Sequence, residues 1–293
     1  TNAPICICSE SCLAASGVLR CVAVRREQLG HWLEAGSRQF WRQFGGVFGE
    51  LAGFGEKDKG AAAAALSNAI GGMGYFHGRL PVVPKDGASP SLPSLSSPSA
   101  RRLPRRGLPA GGGELSSFPA ALFTAVPSRP FFPRGFAWDE GFHQLLIRRW
   151  DADIAADSLA HWMGTLHTCL PSGEADEGGE CAGMGWLPRE QTLGEEARRR
   201  VPEEFRKQSP AIANPPTLLL LADALLKASE EQAEVKEGGV DVRGLLSLLR
   251  PRLEHWLAWL LASQRATADD AEPEYQWRGR STDDGTHHHP TPR

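Results

Sequence analysis

Apolar residues recur at helical spacing in the first part of the chain. Between His31 and Phe48 they follow the period of an amphipathic helix, at Trp32, Leu33, Phe40, Trp41, Phe44, Val47 and Phe48. The alanine run within Lys57–Ile70 favours a second helix, which the glycine-rich residues 71–74 are expected to end. Residues 1–30 show no sustained periodicity and are expected to form an irregular segment.

The helical pattern continues after residue 133. Asp139 or Glu140 is expected to begin a helix, because carboxylates favour helix N-termini. Its apolar face is predicted to contain Phe142, Leu145, Leu146 and Trp150. The next helix, Asp153–Leu166, is predicted to place on one side Ile154, Leu159, Trp162, Met163 and Leu166.

Three prolines influence the helices predicted near the end of the chain. Asn214 is a favourable N-cap and Pro215 a favourable first residue, so a helix is expected over Pro216–Lys227. Two further apolar stripes predict separate helices over Val242–Arg250 and Pro251–Gln264. The alternation typical of strands is almost absent. The fold class is therefore predicted to be all-α, with long loops between the helices.

Composition singles out residues 81–117 as a segment that does not suit a packed core. They are dense in Pro, Ser, Gly and Arg and are expected to form a disordered insertion, because they can bury little apolar surface. The basic run RRLPRR at residues 101–106 is either a solvated stretch or a contact for an acidic partner.

Charge and hydropathy exclude some classes of function. The net charge of -3 provides no field of the kind that attracts nucleic acid, so no nucleic-acid partner is expected. No apolar run is long enough to cross a bilayer, and the first residues lack the pattern of a signal peptide. The protein is expected either to be cytosolic or to have a targeting segment outside this sequence.

The six cysteines do not predict a metal site. Those at positions 6, 8, 12 and 21 match no standard zinc spacing and have no histidine nearby. Cys169 and Cys181 bracket a Gly/Glu-rich stretch. They are either a disulfide, if the compartment is oxidising, or two free thiols.

Two loops combine aromatic and acidic residues. Residues 131–143 read FFPRGFAWDEGFH, and residues 185–205 read GWLPREQTLGEEARRRVPEEF. Tryptophan beside carboxylates and amides suits a neutral polyhydroxylated ligand, and glycoside hydrolysis needs two carboxyl groups. The same residues also fit structural roles: Asp139 and Glu140 as helix caps, His143 as a core or surface histidine. Residue types alone therefore do not select an enzyme.

Longer motifs do select a family. The segment LFTAVPSRPFFPRGFAWDEGFHQLLIRRWD at 122–151 resembles glycoside hydrolase family 63, the processing α-glucosidases. Similar segments follow in the family's order: ALSNAIGGMGYFHG (65–78), GWLPREQTLGEEARRRVPEEF (185–205), AIANPPTLLLL (211–221), PRLEHWLAWLLASQ (251–264) and YQWRGR (275–280). The resemblance implies a partial (α/α)6 toroid over residues 31–280, with residues 281–293 as an irregular tail.

The resemblance also implies an activity. The family removes the terminal α-1,2-linked glucose of the N-glycan precursor in the lumen of the endoplasmic reticulum, with inversion and without a metal or organic cofactor. By its position in WDEGFH, Asp139 matches the general acid. The expected substrate-binding residues are Arg134, Phe136, Trp138, Glu140, His143, Glu190, Gln191, Glu195, Glu196, Trp277 and Arg278.

Several departures from the family pattern qualify this expectation. Glu195 stands where family members usually have Asp, and residues 169–184 resemble an inserted loop. The family's general base and membrane anchor find no counterpart here, so the chain is expected to be an inactive fragment of poor solubility. Two alternatives remain: a non-catalytic glycan-binding chain, and a helical scaffold that binds a partner through residues 101–106.

Overall fold

The computed structural model describes residues 5–8, 21–24, 26–49, 55–82, 117–167, 185–209, 212–231 and 239–264. The expected insertions at 81–117 and 169–184 fall largely or wholly outside these residues. The same is true of the basic run at 101–106 and the tail at 281–293. The described part is mostly helical, as the fold class predicted, and the chain divides into two compact units at residues 63 and 64.

The first unit begins with an antiparallel strand pair, β1 (Ile5–Cys8) and β2 (Cys21–Val24). Helix α1 (Arg26–Phe48) follows, and helix α2 (Glu56–Gly71) begins in this unit. Residues 1–30 therefore contain more regular structure than the pattern predicted. Four-residue strands such as ICIC and CVAV are uniformly apolar, so they give no alternation to detect.

The second unit contains two further strand pairs. Strands β3 (Met73–Gly78) and β4 (Ala120–Ala125) are antiparallel, with Met73 opposite Ala125. The two-residue strands β5 (Gly135–Phe136) and β6 (Glu190–Gln191) form the other pair.

The helices that follow in the second unit are α3 (Ala137–Trp150), α4 (Ala152–Gly164), α5 (Glu195–Arg199), α6 (Glu203–Arg206), α7 (Thr217–Glu231) and α8 (Val242–Ser263). Helices α3, α4, α7 and α8 contribute side chains to one apolar core. Helix α4 lies at the centre, in contact with α3, α7, α8 and β4. Its Leu159, Trp162 and Met163 are fully buried, as predicted, and Trp186 is buried in the same core.

The buried face of α3 differs from the predicted one. Phe142 is 54% exposed and Leu146 is 37% exposed, whereas the buried residues are Ala137, Glu140, Gly141, Gln144 and Ile147. On this face α7 approaches closely at Gly141, where Thr217 leaves no room for a side chain. Hydrogen bonds allow the polar members of this face to be buried.

Two predictions about proline were wrong. Helix α7 begins at Thr217, after Asn214, Pro215 and Pro216, so Asn214 is not its N-cap. The expected break at Pro251 is absent, and Val242–Ser263 is a single helix. Proline inside a helix removes one hydrogen bond. Buried Leu249 before it, and Trp256 and Trp259 after it, hold both halves against the core and offset that cost.

None of the helices in the described ranges combines the length and the hydropathy required to cross a membrane.

Candidate functional site

The two polar and aromatic loops singled out in the sequence lie side by side. Strand β5 pairs with β6, so that Gly135 is opposite Gln191 and Phe136 is opposite Glu190. The ladder extends into the first turn of α3, where the Ala137 amide donates to the Arg189 carbonyl at 2.9 Å. The structure thus brings together segments about fifty residues apart in sequence, and both meet where α3 begins.

A buried ion pair joins the same two loops. The Arg134 guanidinium donates through Nε and Nη2 to Glu190 Oε2, at 3.1 and 2.9 Å. Arg134 is only 4% exposed and Glu190 6%. The guanidinium also lies 4.6 Å from the centroid of the Phe136 ring. Arg189 is a second, more distant cation at 3.8 Å from Glu190 Oε1, and burial lowers the pKa of this Arg189 guanidinium. Arg134 and Glu190 therefore fix the entrance to α3.

Strand β6 is anchored on its other side by buried polar groups. Gln191 Nε2 donates to Thr165 Oγ1 at 3.0 Å, and the Glu190 amide donates to Gln208 Oε1 at 3.2 Å. Gln191 is 1% exposed. As a result, Glu190 and Gln191, the two predicted substrate-binding residues in β6, are buried in the interior of the second unit.

His167 supports the start of the segment that leads to β6. Its amide donates to the Trp186 carbonyl at 2.8 Å, and its ring lies 4.7 Å from the Trp186 ring and 5.2 Å from Phe118. Burial lowers the pKa of His167 to about 4, because the apolar surroundings disfavour the charged imidazolium. The imidazole is therefore neutral near pH 7.

Asp139 occupies the first turn of α3 and is half-buried. Within the described ranges its carboxylate has no hydrogen bond or ion pair. Trp138 beside it is 44% exposed, and Phe142, one turn further along, is 54% exposed. A carboxyl group without an internal partner can exchange a proton with a ligand. Exposed aromatic rings on successive turns of one helix can stack on a sugar face.

Glu140, the neighbouring carboxylate, is completely buried, with 0% exposure, and is hydrogen-bonded on both oxygens. The Ala125 amide donates to both of its oxygens, at 3.2 and 3.1 Å, and Gln144 Nε2 donates to Oε1 at 2.8 Å. Ser158 Oγ donates to Oε1 as well. His143 Nδ1 lies 3.5 Å from Oε2, an ion pair only when the imidazole is protonated. Adjacent carboxylates thus have different environments.

The remaining candidates divide between surface and undescribed positions. The side chain of His143 is 25% exposed. Glu195 and Glu196 are exposed at the start of α5, where Glu195 pairs with Arg199 at 2.6 Å. Trp277 and Arg278 lie outside the described residues.

The structure adds residues that the sequence did not indicate. Ser158, Thr165, Gln208 and Thr217 hold predicted site residues or the first turn of α3, and each lies at least 18 residues along the chain from the group it holds. Isolated serine, threonine and glutamine residues carry no local pattern that would have identified them.

The predicted site residues that the structure describes form neither a metal site nor the lining of the surface cavity beside β4 and α4. Among the described residues, no three metal-ligating side chains come together. A surface cavity of about 330 Å³, lined by residues of β4 and α4 such as Asp157 and His161, includes none of the predicted site residues.

Comparison with known proteins gives a family match over most of the chain. The model of the glycosyl hydrolase family 63 C-terminal domain matches residues 24–291.

Curated relatives agree with the family match. Mannosyl-oligosaccharide glucosidase GCS1 of Arabidopsis thaliana is 37% identical over 243 residues, covering 82% of this chain and 24% of that protein. Alpha-glucosidase 2 of the same plant is 35% identical over 218 residues, covering 74% and 23%. Mannosyl-oligosaccharide glucosidase of Saccharomyces cerevisiae is 40% identical over 171 residues, covering 58% and 17%. The chain spans about a quarter or less of the length of these relatives.

Proposed function

Because the chain belongs to glycosyl hydrolase family 63, we propose that it is part of an inverting α-glucosidase that acts in N-glycan processing. Its substrate is the terminal α-1,2-linked glucose of the N-glycan precursor. Two of the relatives are named mannosyl-oligosaccharide glucosidases, which supports this choice of substrate. The site of action is the lumen of the endoplasmic reticulum, with membrane attachment through a part of the protein outside this chain.

The proposed architecture is part of an (α/α)6 toroid over residues 31–280. The mostly helical second unit and the family match support it. In this proposal the loops that meet at the start of α3 form one end of the toroid. Asp139 faces the pocket there, with Trp138 and Phe142 on the same helix as surfaces for sugar rings.

The proposed mechanism assigns the role of general acid to Asp139. Its protonated carboxyl donates to the glycosidic oxygen as the bond to the anomeric carbon breaks. A second carboxylate, proposed to lie outside residues 1–293, accepts a proton from the water that attacks the opposite face. In inverting enzymes the two carboxyl groups are about 6.5–9.5 Å apart, which leaves room for this water. Acid and base carboxylates perform the reaction without a metal or organic cofactor.

The observation that carries the proposal is the contrast between Asp139 and its surroundings. Arg134, Glu190, Gln191 and Glu140 are committed to buried contacts that shape the start of α3. Asp139 alone among the carboxylates of this turn is left without an internal partner within the described residues. A rigid support around one uncommitted carboxyl group is the arrangement that a general acid requires.

Product analysis with the full-length natural protein tests this function. Incubation with a triglucosylated N-glycan is expected to release one glucose, and proton NMR at early times is expected to detect the β-anomer. Release of the α-anomer first would contradict the inverting mechanism. Glycan binding without any glucose release would instead identify a non-catalytic glycan-binding protein.

A further inference from the structure

The carboxylate of Glu140 is buried at a substantial energetic cost. An ionised carboxylate removed from water is tolerated only when other groups satisfy it. In the described residues no Lys or Arg lies within ion-pair distance of Glu140, and His143 is a counter-charge only when protonated. Glutamine or an aliphatic residue would fill similar volume with a smaller desolvation penalty. The distinctive contribution of the carboxylate is its capacity to accept several hydrogen bonds at once.

The donors to Glu140 come from three different elements. The Ala125 amide is at the end of β4, Gln144 lies one turn further along α3, and Ser158 is on the facing side of α4. Because the two donors outside α3, the Ala125 amide and Ser158 Oγ, converge on one carboxylate, they restrict both the rotation of α3 about its axis and its shift along that axis. The first turn of α3 is therefore held from β4 and α4 together.

Asp139 depends on that restraint. Consecutive residues of a helix point about 100° apart, so the buried Glu140 directs Asp139 away from the core. Within the part of the chain that the structure describes, the Asp139 carboxylate has no side-chain or backbone donor to orient it. Its position is set by the backbone of the turn that Glu140 fixes.

We propose that Glu140 is a positioning residue for Asp139 and that it does not contact the substrate. This inference rests on the proposed role of Asp139 as general acid. Glu140 had been expected from the family resemblance to bind substrate, and its complete burial favours the positioning role instead. Small displacements of a catalytic group can reduce a rate by about 100-fold, which is the scale of effect that loss of this restraint would produce.

A comparison of two leaving groups distinguishes positioning from general structural damage. The O-linked glucose of the glycan needs a proton from the general acid, whereas α-D-glucosyl fluoride releases a weakly basic ion that needs little assistance. In the full-length natural protein, we expect Glu140→Gln to lower kcat on the glycan by about 100-fold, with KM nearly unchanged. Its rate on glucosyl fluoride is expected to stay within about fivefold of the parent, because the loss is confined to proton donation.

Three further variants complete the experiment. Asp139→Asn is expected to show the same selective loss as Glu140→Gln. Ser158→Ala, which removes one donor to Glu140, is expected to show a smaller selective loss on the glycan. If Glu140→Gln does not fold, Ser158→Ala tests the positioning role in its place. Ser117→Ala removes the buried hydrogen bond that the Leu80 amide donates to Ser117 Oγ. It leaves all contacts of Glu140 in place. It is expected to change both rates by the same factor.

The outcomes separate the positioning role from the proposed function. Equal losses on both substrates in Glu140→Gln, or no loss on the glycan, would overturn the positioning role. Full activity of Asp139→Asn on the glycan would instead refute the role of Asp139 as general acid. The positioning role of Glu140 would then fall with it, because Glu140 would have no general acid to position.

Discussion

At the scale of single residues, Gly141 sets how closely α3 and α7 approach. A Cβ atom at this position would overlap Thr217, whose hydroxyl donates to the Trp138 carbonyl at 2.6 Å. We predict that Gly141→Ala lowers the free energy of unfolding by about 1–3 kcal/mol, because the helices must separate. Urea denaturation measures the change. Gly164→Ala on α4 is the matched control, since a Cβ there has open space. An equal loss in the control would contradict the packing argument.

The Arg134–Glu190 pair allows a second prediction at this scale. Arg134→Met leaves Glu190 buried without its main partner, and we expect a loss of about 3–5 kcal/mol in the free energy of unfolding. The double variant Arg134→Met with Glu190→Met should recover most of this loss, because it removes the uncompensated charge. Denaturation of the single and double variants measures the coupling.

The exposed Glu195–Arg199 pair provides the control for this cycle. Its side chains are 72% and 76% exposed, so Arg199→Met should cost less than about 1 kcal/mol. A double variant at Arg134 and Glu190 that is as unstable as Arg134→Met alone would show that the buried charge is not the cause.

Residue types identified the candidate site only in part. The motif around Asp139 predicted an acid near aromatic side chains, and family resemblance extended this to a set of binding residues. Residue types could not distinguish Asp139 from Glu140, because both are carboxylates in one helical turn, and the family resemblance did not predict that Glu140 is completely buried. The difference arises from Ala125 and Ser158, whose contacts depend on the packing of β4 and α4.

At the scale of elements, the packing of His167 against Trp186, at the start of the segment that leads to β6, is predicted to lose stability in acid. His167 has a pKa of about 4 in the folded protein, below the ordinary value of 6.5 that it regains on unfolding. Its contribution to stability is complete above pH 6.5 and is lost as the pH falls to 4. The shift corresponds to roughly 3 kcal/mol.

Urea denaturation between pH 7.5 and pH 4 tests this contribution. His167→Phe retains an aromatic ring and removes the titration, so its stability should fall less than that of the parent over this range. His77→Phe, at an exposed position of β3, should retain the parent's pH dependence. An unchanged pH dependence in His167→Phe would contradict the assignment.

The extent to which elements could be predicted depended on their length and periodicity. Helix α4 carries a clear apolar stripe, and its predicted buried residues Leu159, Trp162 and Met163 are in the core. Strands β5 and β6 contain two residues each, too few for any alternation to appear. The uninterrupted helix through Pro251 depends on the burial of residues on both sides of it, which no local rule about proline includes.

At the scale of the molecule, apolar helix faces remain exposed within the described residues. Trp138, Phe142 and Leu146 form a stripe along α3, and Leu257 and Leu261 are 42% and 44% exposed on α8. Such surfaces favour association. We predict that residues 1–293, produced alone, form oligomers or aggregates at micromolar concentration. Sedimentation velocity measures this behaviour.

Substitutions on α8 provide the comparison. Leu257→Glu with Leu261→Lys should shift the population towards monomer, because it replaces apolar area with charge. Ser247→Glu, at an exposed polar position of the same helix, should have little effect. A monomeric parent with a sharp cooperative melt would refute the prediction.

The central claim concerns the whole enzyme and is tested most directly by one substitution. Glucose release from a triglucosylated N-glycan is compared between the full-length natural protein and its Asp139→Asn variant, with thermal melting as a check on folding. If Asp139 is the general acid, the variant should melt at nearly the parent temperature and lose about 100-fold or more in kcat. Turnover near the parent rate by the folded variant would contradict the assignment.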